Sequence, residues 1–496
     1  MERKRKNLIA LLIAVLSIIL IFVINDFPEF FEEEVEEVEE EEKIYIRAAG
    51  GEEDAIERYE EMNPEVEIEL VDLPDDVDDM FGMFEQVLEN ESSDFDILQM
   101  DVIWAGDLGE HFVDLYDYGA DEVADKHFES IIENNTINDR LVAIPWFMDT
   151  GVLFYREDLL DKYGHDVPET WDELEKVAKD IQEEERAAGN DMDGFVWQGD
   201  TYESLTCNAL EWIYSHNGGS IIEPDGRITI NNQNAANALN RAGSWVGDIT
   251  PEEITSMNEA VSLDAFRGGN AVFMRNWPYA YAESEDEEES EIVGNVGIAP
   301  LPAGSEGESA ATVGGWHLGV SKYSEHPEIA ADIALFMASY EEQKHRAIEY
   351  TYNPTIPDLY EDEDVLEEVP FMAELLDVFE NAVARPSTVT APFYNEVSRE
   401  FYTEAYEVID GNKTGEEVVH YLEDKYKEMG VGQEVDDSDE VEIIDDYFYY
   451  TIQSGDTLRV IARENNVTTQ QIYELNEDRV EDIDIIYPGQ EIKIPE

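Results

Sequence analysis

The stretch FRGGNAVFMRNWPYAY, residues 266–281, indicates how this chain folds and where it could hold a ligand. Residues 271–274 are a short apolar run after two glycines and Asn270, and such a run predicts a buried strand. Pro278 stops strand pairing because proline has no N–H to donate. Trp277 and Tyr279 therefore stand at a strand end, where open α/β sheets place ligands. Their rings could equally belong to a core, since aromatic side chains dominate cores as well.

The length and the net charge of the chain limit the classes of protein to which it can belong. The 496 residues are too many for one ordinary core, so two to four units are expected. A net charge of −90 comes from 120 acidic and 30 basic residues. Such self-repulsion strains a compact state unless salt screens it, so the sequence predicts a halophile protein that works in high salt. The same charge excludes nucleic acid as a partner.

The first 25 residues predict a membrane segment. Four basic residues precede the apolar run of residues 8–24, which is long enough to span a bilayer core. The basic end then stays in the cytoplasm and the rest of the chain lies outside. A cleaved signal peptide looks similar, but Asn25-Asp26-Phe27-Pro28 offers no small-residue cleavage site, which favours an uncleaved anchor. Secretion would follow if the segment were cleaved.

The rest of the chain divides into four parts by composition. Residues 26–43 form an acidic linker, and residues 433–448 form a second one. Residues 44–432 form an α/β domain, and its first part, residues 44–101, has the pattern strand, helix, strand, helix, strand, which predicts a mainly parallel sheet with crossover helices. Residues 449–496 are a separate small unit.

Aromatic and acidic residues recur at the predicted strand ends of the large domain. Asp101 and Trp104 follow one strand, and Trp146, Phe147 and Asp149 follow another. The apolar face of a sugar ring stacks on aromatic rings, and carboxylates accept hydrogen bonds from its hydroxyls. This combination predicts a carbohydrate site.

Residues 44–432 resemble the extracellular solute-binding proteins of ABC sugar importers, most of all the trehalose- and maltose-binding members. The segments that carry the resemblance run in order along the chain: LQMDVIWAGDL (98–108), IPWFMDTGVLFYREDLLDKYG (144–164), PETWDEL (168–174), GFVWQGDTYESLTCN (194–208), GNAVFMRNWPYAY (269–281), GIAPLP (297–302), VGGWHLGVSKYS (313–324) and FENAVARP (379–386). The resemblance implies a two-lobed periplasmic-binding-protein-like fold of class II, the maltose-binding type. It also implies a monosaccharide or disaccharide held between the lobes and delivered to ABC permease subunits.

The resemblance also implies which residues contact the sugar: Glu52, Asp101, Asp149, Trp277, Tyr279, Gly315, Trp316 and Arg385. Phe147 stands where the relatives carry a tyrosine, so one hydroxyl donor is missing. Trp104 joins the candidates because it follows a strand end. Residues 74–79, Pro-Asp-Asp-Val-Asp-Asp, replace a threonine and an arginine of the relatives, and that loss would change which sugar hydroxyls are recognised. Arg385 could instead be a helix-end or surface cation, and His317 is expected to be a hydrogen-bonded structural histidine rather than a ligand contact.

The small unit resembles a LysM domain over its whole length, YTIQSGDTLRVIARENNVTTQQIYEL and IDIIYPGQEIKIP. That family has a βααβ fold and binds glycans that contain N-acetylglucosamine, such as peptidoglycan. The resemblance places the glycan groove at Gly455, Asp456, Thr457, Leu458, Ile485 and Ile486. A degenerate spacer without glycan affinity is the alternative.

Three functions remain open at this point. The first is a monomeric sugar receptor of an ABC importer. Its N-terminal helix would hold it at the extracellular face of the cell membrane, and its LysM unit would hold it at the cell wall. The second is a glycosidase that uses Asp101 and Asp149 as its carboxylate pair. The third is a sensor or scaffold that presents sugar to a signalling partner. The spacing of histidine, cysteine and acidic residues predicts no metal site, and no cofactor is expected.

Overall fold

The computed structural model describes residues 43–74, 77–223, 225–304, 307–380, 382–432, 447–452, 461, 472, 475–476 and 490–495. The predicted membrane segment and nearly all of the two acidic linkers lie outside these residues. In the described part of the chain, no helix is both long and apolar enough to cross a membrane. The chain divides into two compact units, Met1–Gln433 and Glu434–Glu496.

Two mixed sheets organise the larger unit as two lobes. The strands of this unit are β1 (Ile44–Ala49), β2 (Val66–Leu70), β3 (Ile97–Asp101), β4 (Thr136–Ile137), β5 (Arg140–Leu141), β6 (Ile144–Thr150), β7 (Val152–Arg156), β8 (Asp193–Val196), β9 (Ala271–Asn276), β10 (Val296–Ala299) and β11 (Val313–Val320). The first lobe has the strand order β2-β1-β3-β11-β6, and the second lobe has the order β10-β7-β9-β8. Strands β4 and β5 form a small hairpin in the first lobe.

Parallel pairing joins the first three strands, and it occurs once more between β8 and β9 in the second lobe. Strand β1 pairs in parallel with β2 and β3, as the alternating strand and helix pattern predicts. Strand β11 pairs antiparallel with both β3 and β6, and β7 pairs antiparallel with β9 and β10. The prediction of parallel pairing is therefore confirmed for β1, β2 and β3, but each whole sheet is mixed, because β11 and β7 run antiparallel to their neighbours.

Helices cover both sheets. The α-helices of the larger unit span Glu53–Met62, Val77–Glu89, Ala105–Leu108, Asp121–Ala124, Glu129–Asn134, Glu157–Tyr163, Trp171–Ala188, Glu203–Ser215, Gln233–Trp245, Glu259–Arg267, Ala280–Ser284, Pro327–Met337, Tyr340–Tyr350, Glu363–Glu368, Met372–Glu380, Ser387–Thr390, Tyr394–Ile409 and Gly415–Met429. Short 3-10 helices span Gly109–His111, Leu115–Tyr118, Glu252–Ser256 and Pro357–Glu361. The predicted capping box of Thr170 and Glu173 is present at the start of the helix Trp171–Ala188.

Gly151 marks the point where the chain leaves the first sheet for the second. Strand β6 ends at Thr150 and β7 begins at Val152, so the residues at the end of β6 lie where the lobes meet. The chain returns to the first sheet between β10 and β11. Each lobe has its own apolar core, and the second lobe carries the larger one. Residues from β3, β6, β9 and β11 are thereby brought to one region between the lobes.

The smaller unit contributes two described strands, β12 (Tyr447–Thr451) and β13 (Glu491–Pro495), which pair antiparallel. Asn476, which lies between the two strands in the chain, is bound to β13, because its side chain donates to the carbonyl of Lys493 and accepts from the Lys493 N–H at 2.7 Å each. The six predicted glycan-groove residues Gly455, Asp456, Thr457, Leu458, Ile485 and Ile486 lie outside the described residues.

Candidate ligand-binding cavity

A cavity of about 450 Å³ lies between the two lobes of the larger unit. Its lining comes from both sheets and from the helices that follow them: Gly51, Glu52, Val77, Gln99, Asp101, Trp146, Phe147, Asp149, Glu203, Ser204, Cys207, Glu259, Trp277, Tyr279, Glu283, Gly314, Gly315, Trp316, Tyr352 and Arg385. The volume falls in the range of pockets that enclose small molecules. With one exception, Trp104, every residue that the sequence predicts at the sugar lines this cavity.

Aromatic rings from both lobes form the walls. Trp277 and Tyr279 come from the end of β9, and both rings are partly exposed. Trp316 comes from β11 in the other lobe and is also partly exposed. Phe147 stacks on Tyr352 with ring centres 4.3 Å apart and an angle of 10° between the ring planes. The two lobes thus offer ring faces to the same space.

Two carboxyl groups in the cavity have oxygens with no hydrogen-bond partner among the described residues. Both carboxyl oxygens of Glu52 and the Oδ1 of Asp149 are buried in this way. Glu52 has a cation nearby, since its Oε1 lies 3.6 Å from the Nε of Arg346, which is beyond hydrogen-bond distance. Buried acceptors without donors cost free energy, so donors from a ligand would stabilise them.

Asp101, Arg385 and Glu203 form a buried ion cluster that joins the lobes. Arg385 donates from Nη2 to the Oδ1 of Asp101 at 2.8 Å and from Nη1 to the Oε1 of Glu203 at 2.9 Å. Asp101 ends β3 in the first lobe, whereas Glu203 begins the helix Glu203–Ser215 in the second. The hydroxyl of Tyr394 also donates to Glu203, at 2.6 Å. Arg385 is therefore a buried cation of the cavity wall and not a surface cation.

Burial is the main cause of the pKa shifts of the acidic residues in this cavity. It raises the pKa of Asp149 well above the ordinary value of an aspartate, and the charge of Arg275 only partly opposes this. Burial likewise raises the pKa of Asp101, against the effect of Arg385. The pKa of Glu52 is raised by burial too, with Arg346 acting in the opposite direction. Hydrogen bonds from a ligand would favour the charged forms again.

Trp104 belongs to the core behind the cavity. Its side chain is fully buried, and its ring meets the ring of Trp316 edge to face at 5.7 Å between centres. It also packs edge to face on Phe84. Trp104 was placed at the sugar only because it follows a strand end. Its ring is buried in the core and does not line the cavity. Trp104 instead holds Trp316 from behind.

His317 is also a core residue. It lies on β11 beside Trp316, is 1% exposed, and has no hydrogen-bond partner at either ring nitrogen among the described residues. Burial lowers the pKa of His317 to about 3, so the ring is neutral at ordinary pH. The burial of His317 agrees with a structural role, but the hydrogen bond expected at its ring is absent among the described residues.

Strand boundaries differ from the prediction at two places in the cavity. Trp146, Phe147 and Asp149 were expected after a strand, but they lie inside β6. The glycine pair before Trp316 predicts a break between strands, but Trp316 lies inside β11. Gly315 allows the two strands to pair closely at φ +125°, because a Cβ there would come within 2.6 Å of the Met148 Cα.

Several lining residues were missed by the sequence analysis. Glu203 and Glu259 each begin a helix, and Tyr352 follows the helix Tyr340–Tyr350. A glutamate at the start of a helix is typical of any helix, so it gives no signal of a ligand site. Within the described residues, no group of three or more histidine, cysteine or acidic side chains could hold a metal ion.

Residues 45–344 match the family described as "Bacterial extracellular solute-binding protein". This match covers more than half of the chain. The chain belongs to that family. Residues 450–495 of this solute-binding protein match the LysM domain family.

Relatives with known names match much of the larger unit. A Deinococcus radiodurans protein named "Probable ABC transporter-binding protein" is 46% identical over 343 residues, which are 69% of this chain and 81% of the relative. The structure of maltose-bound T. maritima MalE3 is similar with a TM-score of 0.73 and 36% identity, covering 78% of this chain and 99% of MalE3. The maltodextrin-binding protein MdxE of Bacillus subtilis is 26% identical over 45% of this chain and 52% of its own length.

Proposed function

We propose that this solute-binding protein captures a sugar of the trehalose or maltose type outside the cell and delivers it to an ABC importer. The unpartnered carboxyl oxygens of Glu52 and Asp149, set among exposed ring faces, carry the proposal. Sugar hydroxyls supply the donors that these oxygens lack, and the apolar face of the sugar ring covers the aromatic walls. The likeness to a maltose-bound structure supports the same ligand class.

Sugar binding would stabilise the closed arrangement of the two lobes, and that arrangement would dock on the permease. The Asp101–Arg385–Glu203 cluster already joins the lobes across the cavity, so the closed arrangement needs few further polar contacts. The chain is proposed to act as a monomer, with its N-terminal segment at the membrane and its LysM domain on peptidoglycan. Its location would then be the outer face of the cell membrane and the wall.

Calorimetry in high salt tests the ligand assignment. The protein is titrated with maltose, trehalose and glucose, and at least one of them is expected to bind with a Kd in the micromolar range or tighter, about −8 kcal/mol. Asp149→Asn should weaken that binding by about 10- to 100-fold, because an amide accepts only through one oxygen. Asp180→Asn is the matched control, since Asp180 is exposed on the helix Trp171–Ala188.

Two results would refute the assignment. One is that none of the sugars binds to a folded protein. The other is that Asp149→Asn and Asp180→Asn bind equally well, because the buried carboxylate would then contribute nothing to the ligand.

A further inference from the structure

Arg275 lies enclosed behind the ring of Trp277. Its side chain is 1% exposed, and its guanidinium carbon lies 4.0 Å from the centre of the Trp277 ring. A cation against an aromatic face is attracted to it, and more strongly where water is excluded. Trp277 lines the cavity, whereas Arg275 lies behind that lining. Arg275 therefore does not line the cavity itself, and it acts on a ligand through the Trp277 ring and through its charge on Asp149.

A buried carboxylate fixes the position of Arg275. Glu211 pairs with it through both oxygens, with 3.0 Å between the Arg275 Nε and the Glu211 Oε2. The Nη1 of Arg275 also donates to the Oε1 of Gln198 at 3.0 Å. Gly151 leaves room for this pair, because a Cβ there would come within 2.2 Å of Glu211 and 2.6 Å of Arg275. The guanidinium is thus held in one orientation under the ring.

The edges of the Trp277 ring are held as well. Its Nε1 donates to the Oε1 of Glu259 at 3.3 Å. Glu259 is itself fixed, because it accepts from the hydroxyls of Tyr202 and Ser204. On another edge, a Cβ on Gly314 would come within 3.1 Å of the ring. One face and the Nε1 edge of the ring are therefore held by contacts within the protein, and the same ring lines the cavity.

We propose that the Arg275–Glu211 pair and Glu259 are positioning residues that fix Trp277 in its stacking orientation before a ligand arrives. A side chain that is ordered in the free protein loses less entropy on binding, which raises affinity without any new contact to the ligand. The identity of the ligand rests on the proposed function. The fixed ring is a property of the free protein and can be measured without any sugar.

The test uses the full chain labelled with 5-fluorotryptophan. The fluorine signal of Trp277 is assigned from its loss in Trp277→Phe. The key variant is Arg275→Met with Glu211→Met, because removing only one partner would leave an uncompensated buried charge, whereas apolar replacement of both often preserves the fold. We expect one narrow Trp277 signal in the wild-type protein and a broadened or shifted one in the double variant. The sugar affinity should fall about 10-fold.

Conservative variants separate positioning from general stability. Arg275→Lys keeps a cation under the ring and should retain most of the wild-type signal and affinity. Glu259→Leu removes the acceptor on the ring edge and should broaden the signal, whereas Glu259→Gln keeps an acceptor and should not. These comparisons are made among variants with equal melting temperatures.

An unchanged Trp277 signal in the folded double variant overturns the proposal. If the double variant does not fold, an unchanged signal in Glu259→Leu overturns it in the same way. If the wild-type protein binds no sugar but the signal still changes in the variants, the positioning role stands and the proposed function fails. The two ideas can therefore fail separately.

Discussion

Tyr352 brings a phenol hydroxyl to a cavity wall where Phe147 has none. The two rings stack, and the charges that act on the Tyr352 hydroxyl include those of Asp149 and Glu52. Burial raises the pKa of Tyr352 further above its usual range, so the group is a neutral donor at any ordinary pH. Tyr352 is therefore placed to donate to a sugar oxygen or to one of the unpartnered carboxylates.

Tyr352→Phe should weaken sugar binding by about 3- to 10-fold, the effect of one neutral hydrogen bond. The stack on Phe147 survives in this variant, so the melting temperature should stay within a few degrees of the wild-type value. Calorimetry measures the affinity, and a thermal melt checks the fold. Equal affinity in both proteins would mean that the hydroxyl does not contact the ligand.

Single residues at the cavity could be predicted only where the residue type is rare in this chain or stands beside glycine or proline. The chain has eight tryptophans, so Trp277 and Trp316 stand out beside glycines and a proline. It has 120 acidic residues, so Glu203 and Glu259 look like any surface acid until the fold buries Glu203 and places Glu259 at the cavity. Trp104 is rare in type as well, but its position after a strand does not tell whether its ring turns toward the cavity or into the core.

Helices and strands were predicted best where the sequence marks both of their ends. The apolar periodicity of the sequence predicts helices over Tyr394–Ile409 and Gly415–Met429, and the structure has both with these bounds. The second begins at a Thr414–Glu417 capping box and ends at Gly430. Strands β6 and β11 are longer than predicted because Pro145 and the glycine pair of β11 are typical strand breakers. Pairing on both sides keeps β11 extended, and no local pattern reveals that.

A helix–helix contact between the lobes gives the protein a pH-dependent stability. Asp107, on the short helix Ala105–Leu108, accepts from the amide of Asn395 at 2.9 Å. Burial and the nearby Glu396 raise the pKa of Asp107 to about 6, although Asn395 opposes this. The folded protein therefore holds the proton more tightly than the unfolded chain. This contribution to stability is largest below about pH 4 and is lost as the pH rises through about 6.

Asp107→Asn should remove this dependence, since asparagine is neutral at every pH. At pH 8 the variant should be more stable than the wild-type protein by on the order of 1 kcal/mol, a value discounted for partial solvent screening. The difference should shrink toward pH 5. Urea unfolding in high salt at both pH values measures it, with Asp180→Asn as the matched surface control. A stability difference that is the same at both pH values would contradict the assignment to Asp107.

At the scale of the whole molecule, the surface charge sets the conditions in which the lobes can pack. Charges of one sign repel across about 30 Å at an ionic strength near 0.01 M, but across only about 3 Å near 1 M. Most basic side chains are already engaged within the described part: Arg58, Arg267 and Lys344, for example, each pair with more than one acid. The chain has 120 acidic residues and only 30 lysines and arginines, so dissolved salt must screen the excess acidic charge.

The protein is therefore expected to need salt for stability. Its melting temperature should rise by on the order of 10 °C or more between about 0.1 M and about 3 M KCl, with most of the gain below about 1 M because screening saturates there. An uncharged osmolyte at matched osmolality is the control, and it should stabilise far less than KCl if screening is the cause. A melting temperature that is independent of KCl, or that rises equally with the osmolyte, would mean that the fold tolerates its charge without screening.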